Sequence, residues 1–107
     1  MRTIYFITGT QHRGPEAIAA LKAAKEGDEA VLEREPMNQH DPNAVRVIVA
    51  GVCVGFVPAR MVAKGLAAHI DANGAPPVGE QLGPRISGRL VATADRGLCV
   101  EIEEPKS

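Results

Sequence analysis

The spacing of hydrophobic positions changes period several times along the chain, and each change marks an element. Residues 44–50 alternate, with Val45, Val47 and Val49 on one side and Arg46 and Ile48 on the other, as in a half-buried strand. Gly51 permits a tight reversal into a second strand over 52–57, so the two form a hairpin. The same period carries Ile86, Gly88, Leu90 and Ala92 through residues 84–95. After a turn at Asp95-Arg96-Gly97 it resumes with Leu98, Val100 and Ile102 against Cys99, Glu101 and Glu103. Gly88, inside its strand, marks a bulge or a close backbone approach. Two further strands are expected over 3–8 and 29–35.

Two segments have helical spacing. Gly14-Pro15-Glu16 places a proline at the first helical position and an acid in the first turn. The Ala-rich helix from Glu16 to Lys25 then has Ala17, Ile18, Leu21 and Ala24 as its apolar stripe. A second helix opens at Pro58 and runs to about Ala72, with Val62, Ala63, Leu66, Ala67 and Ile70 in phase, and stops at Asn73-Gly74. Thr10 to Gly14 and Pro36 to Asn43 are loops, and Ala75 to Gly83 is a flexible one. Residues 1–104 form one domain, and 105–107 a disordered tail. The order is β-α-β-β-β-α-β-β, an α+β chain that is mainly β with two short helices. Six short strands in so little chain must curl to hide their edges, which favours a small, mostly antiparallel six-stranded barrel.

Composition narrows what fills that core. The chain has 107 residues, enough for one core, with a 45% hydrophobic share but no Trp, one Tyr and two Phe. Val, Ile, Leu and Ala must therefore do the packing. Cys53 and Cys99 lie in strands without metal-type spacing and read as reduced thiols acting as small hydrophobes. No apolar run approaches the twenty residues of a membrane span, and the stretch from Met1 to Ile7 stops too early for a signal sequence. A cytoplasmic protein is the expectation. No nucleophile–base pair or carboxylate pair appears, so neither catalysis, metal nor cofactor is expected.

A net charge of −1 argues against bulk attraction to a polyanion. The charges are unevenly placed, however. Residues 26–43 carry six acids against Arg34 alone, whereas residues 44–96 carry Arg46, Arg60, Lys64, Arg85, Arg89 and Arg96 against three acids. A neutral chain of this kind has room for a basic face. Polar chemistry concentrates in two loops, Gly9-Thr10-Gln11-His12-Arg13-Gly14 and Asn38-Gln39-His40-Asp41-Pro42-Asn43. They follow the first and second strands, and adjacent strands of a barrel would bring them together.

The segment from Arg34 to Val47, REPMNQHDPNAVRV, resembles the signature of the HIRAN domain family, R-[ED]-P-x-N-x-x-D-x-N-A-[VI]-x-V. Val54-Gly55-Phe56-Val57-Pro58 and a glycine before the second strand agree as well, so the likeness spans roughly residues 4 to 71. The last third agrees only in its strands. The resemblance implies an OB-like barrel that binds single-stranded DNA and prefers a free 3′-hydroxyl end. It also implies a targeting role in DNA repair or replication, with a helicase, nuclease or other repair protein as partner.

For these residues the implied activity has a physical basis. Asp41 can accept a hydrogen bond from a terminal hydroxyl and repel the phosphate of a continuing chain. Asn38 offers donor and acceptor to a base edge or sugar. Gln11, His12 and Arg13 would supply phosphate contacts and a stacking face, with His40 doing so at the turn. Better-known members present aromatic rings where this chain has His12, Arg13 and His40, so weak binding is expected. Phe56 is the aromatic at the rim, and Arg60 and Asn43 complete the candidate site.

Each of these residues has a plainer reading. Asn38, Asp41 and Asn43 hold the turn by capping their own backbone, and Phe56 belongs to the core. Arg60, Lys64, Arg85 and Arg89 form either a solvated face or a track for the DNA backbone. The alternative function is a protein–protein interaction module on the same barrel, taking a peptide by strand addition at an exposed edge such as strand six.

Overall fold

The valine alternation over residues 45–49 is borne out in the computed structural model, which describes residues 2–76 and 83–103 apart from the side chains of residues 63 and 64. Val45, Val47 and Val49 are buried, and Arg46 and Ile48 face the other side. The strands are β1 (Arg2–Tyr5), β2 (Glu29–Arg34), β3 (Val45–Val49), β4 (Val52–Phe56), β5 (Arg85–Thr93) and β6 (Gly97–Glu103). They form one antiparallel sheet in the order β1-β6-β5-β2-β3-β4.

The edges are thus β1 and β4. Strand six is not an edge, because β1 pairs with it from Arg2↔Glu103 to Tyr5↔Val100 while β5 covers its other side. Nor does the sheet close as a barrel. Among the described residues its two edges are linked by one bridge, between Thr8, just past β1, and Phe56 of β4, through backbone hydrogen bonds of 2.8 and 2.9 Å. The ladder goes no further because Gly9 adopts a left-handed conformation (φ 77°) and turns the chain into a 3-10 turn, Thr10–His12.

Ala50 and Gly51, at φ 52° and 78°, form the reversal between β3 and β4, the backbone sign that suits a two-residue hairpin. The register shift lies in this hairpin, between Val47 and Ile48. Gly88 instead marks a close approach, since a Cβ there would lie 2.6 Å from the Glu101 carbonyl.

Helix α1 (Pro15–Ala23) packs on β4 and buries Ala17, whereas Ile18 remains 37% exposed. The expected single helix after Pro58 is broken. It consists of α2 (Ala59–Met61), one π-turn (Val62–Leu66) and α3 (Ala67–Asn73), because Gly65 sits at φ 113°. The apolar face survives the break: Val62, Leu66, Ala67 and Ile70 are all buried, and α3 packs on β2 and β5. Full burial of a Leu66 or Ile70 side chain contributes about 1.5–3 kcal/mol, which keeps the broken helix seated. The core is otherwise Leu32, Val45, Val47, Val54, Leu90 and Val100, with the one tyrosine, Tyr5, beside them. Both cysteines are free, Cys99 buried and Cys53 half-buried.

Most of the expected flexible loop over 75–83 and the tail at 105–107 lie outside the described residues. No described helix is long and apolar enough to cross a membrane.

Candidate nucleic-acid interface

The alternation of β2 puts Ala30, Leu32 and Arg34 on the core side, so a guanidinium occupies a position that the pattern reserves for an apolar group. Arg34 is 6% exposed, and its burial is tolerated because Nε and Nη1 both find acceptors. Its Nη1 donates to the carbonyls of Pro42 (2.9 Å) and Ala44 (3.3 Å), and its Nε donates to the Asp71 carboxylate of α3 (3.0 Å). One side chain, at the end of β2, thereby ties the far end of the acidic turn and the broken helix to the strand.

Within the turn, Asn38 is fully engaged. Its Oδ1 accepts from the backbone N–H groups of His40 (2.8 Å) and Asp41 (2.9 Å), and its Nδ2 donates to Glu35 (2.8 Å). Asp41 Oδ1 accepts from the Asn43 N–H at 2.9 Å. The capping reading of these residues is therefore part of the structure. What remains on the outside is the second carboxylate oxygen of Asp41, which makes no hydrogen bond among the described residues, together with the exposed side chains of His40 and Asn43. Asp41 and Asn43 line a cavity of about 410 Å³ whose other described walls are Ala59, Val62, Gly65, Ala67 and Ala68. Among the described residues that line it, Asp41 is the one that carries a charge.

The second loop is organised by Thr8, whose hydroxyl donates to the Phe56 carbonyl at 3.0 Å while its backbone forms the bridge. Gln11, His12 and Arg13 project from the following turn and are all exposed. The Arg13 guanidinium lies over the half-buried Phe56 ring, 5.5 Å from its centroid. Phe56 is thus a base under a cation, and the plane offered outward there is the guanidinium. Arg60, exposed on α2, follows Phe56 by four residues at the same end of β4.

The two loops meet the sheet at one end of the β3–β4 hairpin, by a route other than strand adjacency. β1 and β2 are separated by β6 and β5. The acidic turn leads into β3, the 3-10 turn is fastened to β4 at Phe56, and Phe56 is the cross-strand partner of Arg46 near the start of β3. No hydrogen bond or ion pair joins the two loops among the described residues. Arg85 and Arg89 stand apart from this hairpin: they belong to β5, and two strands, β2 and β3, lie between it and β4.

Two features escaped the pattern reading. Arg34 was visible in principle, as a charge in the core phase of a strand. The pairing of Arg46 with buried Glu33 was not, because it depends on the β2–β3 register. The bond from Arg46 Nε to Glu33 Oε1 is 2.6 Å, with Glu33 only 1% exposed. Arg46 is therefore neutralised, while Arg13 and Arg60 have no acidic partner among the described residues.

Comparison with known proteins gives two likenesses. A model of the HIRAN domain matches residues 2–80. A crystal structure of a protein from Lactobacillus plantarum aligns with a TM-score of 0.68 over 94% of this chain and 92% of that one, at 18% identity, a likeness of fold alone. No curated protein matches.

Proposed function

The chain belongs to the HIRAN domain family, whose members are nucleic-acid-binding modules, and on that premise we propose that it holds single-stranded DNA by a free 3′-hydroxyl end. The observation that carries the proposal is Asp41. One carboxylate oxygen is fixed by the Asn43 N–H, and the other is left for a ligand in a cavity where no other described lining residue is charged. A terminal hydroxyl can donate to that oxygen. A phosphate in its place would set anion against anion, at about 4 kcal/mol for unit charges 4 Å apart in an effective dielectric of 20.

The remaining residues take roles that fit their placement. Arg13 and Arg60 meet backbone phosphates, and the planes of His12, His40 and Arg13 stack on bases, each base on an aromatic ring contributing about 1–3 kcal/mol and these substitutes the lower end of it. Asn38, with its polar groups committed inside the turn, positions Asp41 rather than the ligand. In this reading the domain performs no reaction. It brings an end to a helicase, nuclease or other repair or replication protein.

Fluorescence anisotropy with oligothymidylates ending in 3′-hydroxyl or 3′-phosphate tests this. The hydroxyl end binds at least about tenfold more tightly, and Asp41→Asn, which keeps an acceptor for the Asn43 N–H, removes the preference. Equal affinity for both ends in the unaltered protein would sink it.

A further inference from the structure

Both phenylalanines of the chain lie under an arginine. Besides Arg13 over Phe56, Arg96 sits over Phe6 at 4.5 Å from the ring centroid. The two pairs flank one short piece of backbone, since Phe6 precedes Thr8 by two residues and Thr8 bridges to Phe56. Beside Arg96 runs a groove of about 340 Å³ floored by Ile18, Leu21 and Leu98, with Lys22 at its rim and Thr10 where it meets the 3-10 turn. No acid lines it, and neither Lys22 nor Arg96 has an acidic partner among the described residues.

We propose that this groove is a second DNA subsite, taking the nucleotides that lie 5′ to the terminus held at Asp41; it rests on the function proposed above. A strand whose end is anchored must leave along a surface that tolerates phosphates. Thr10 belongs both to the turn that carries Arg13 and to the groove, so the two cationic patches are continuous. A wider concavity of about 480 Å³ offers no such path, because Glu29, Glu101 and Glu103 line it and outnumber Arg2 and Arg89 there. In the groove, a ring beneath Arg96 holds the guanidinium plane in place, leaving its other face for a base and its N–H groups for phosphate. Ile18 supplies an uncovered apolar surface against which a base can rest. Two cations without an acid between them suit a polyanion.

The test compares a thymidine trimer with a dodecamer, both ending in 3′-hydroxyl, on the unaltered protein and on Lys22→Gln/Arg96→Gln. Both substitutions lie on exposed or half-exposed surface, and an unchanged melting temperature establishes that the fold is intact. The dodecamer should bind at least about tenfold more tightly than the trimer. The double variant should bring it down to the trimer's level and reduce the logarithmic salt slope by about 1.4, about 0.7 for each cation on a single strand. Trimer affinity should stay unchanged. A dodecamer whose affinity and slope ignore the double variant overturns the subsite, and that is also the result if the groove serves an acidic peptide. A third ligand, the same trimer ending in 3′-phosphate, separates the two readings: if it binds as tightly as the hydroxyl trimer, the terminal reading falls, and the direction of the path with it.

Discussion

Arg34 donates to the carbonyl of Pro42, eight residues further along the chain, and so closes the acidic turn from inside the protein. The first residue of the family's signature segment is thus a fastening for the residues that follow it. Arg34→Met should leave the Pro42 and Ala44 carbonyls without their donor and cost about 2–3 kcal/mol. Asp71→Asn, at a half-exposed partner, should cost less than about 1 kcal/mol. Urea denaturation of the two variants checks the ratio; equal losses would mean that the helix contact, not the turn, is what Arg34 holds.

Glu33, adjacent in sequence, is buried on the opposite side of β2 and answers Arg46. Removing one partner of a buried pair leaves an uncompensated charge, so Arg46→Met should destabilise by about 3 kcal/mol. The double variant Glu33→Leu/Arg46→Met should recover most of that loss, since apolar groups of similar volume replace a buried pair at little net cost. A double-mutant cycle in chemical denaturation measures the coupling, and additive losses would refute it.

Gly55 faces the bridge that links the sheet's two edges. A Cβ there would lie 2.5 Å from the Thr8 carbonyl and 2.9 Å from the Ile7 side chain. Gly55→Ala must therefore push Thr8 off Phe56, at about 1–3 kcal/mol for the overpacking. Amide hydrogen exchange of Thr8 and Phe56 should rise more than that of β2 or β5. Uniform change across the sheet would show that the bridge is not a separate unit.

Arg13 separates charge from shape. Arg13→Lys keeps the cation but loses the planar contact with Phe56, so the salt dependence of DNA binding should be retained while affinity falls several-fold. Titrations at several salt concentrations distinguish this from a role for charge alone, in which the lysine variant would bind like the unaltered protein.

Asn38→Asp is the sharper variant at the turn. The two backbone N–H groups keep an acceptor, but the Glu35 carboxylate loses its donor and gains a like charge beside it. The turn should loosen by about 1–2 kcal/mol at neutral pH. Thermal melts that show a smaller deficit at a pH low enough to protonate the carboxylates would support this account; a deficit independent of pH would contradict it.

The alternation of apolar residues determined the strands, the β3–β4 hairpin and the apolar faces of both helical segments, because side-chain direction repeats over two or four residues and is a local property. The signature segment likewise named the acidic turn, and its Asx-type residues cap their own backbone, again locally. Strand neighbours are another matter. The same period of two fits many partners, and only long-range pairing put β6 between β1 and β5, kept the sheet from closing and brought Arg46 against Glu33. The placement of the two polar loops at one end of the β3–β4 hairpin was decided at that level too. The first loop reaches the hairpin end that the second leads into through the Thr8–Phe56 bridge, a contact between residues 48 positions apart that no periodicity encodes.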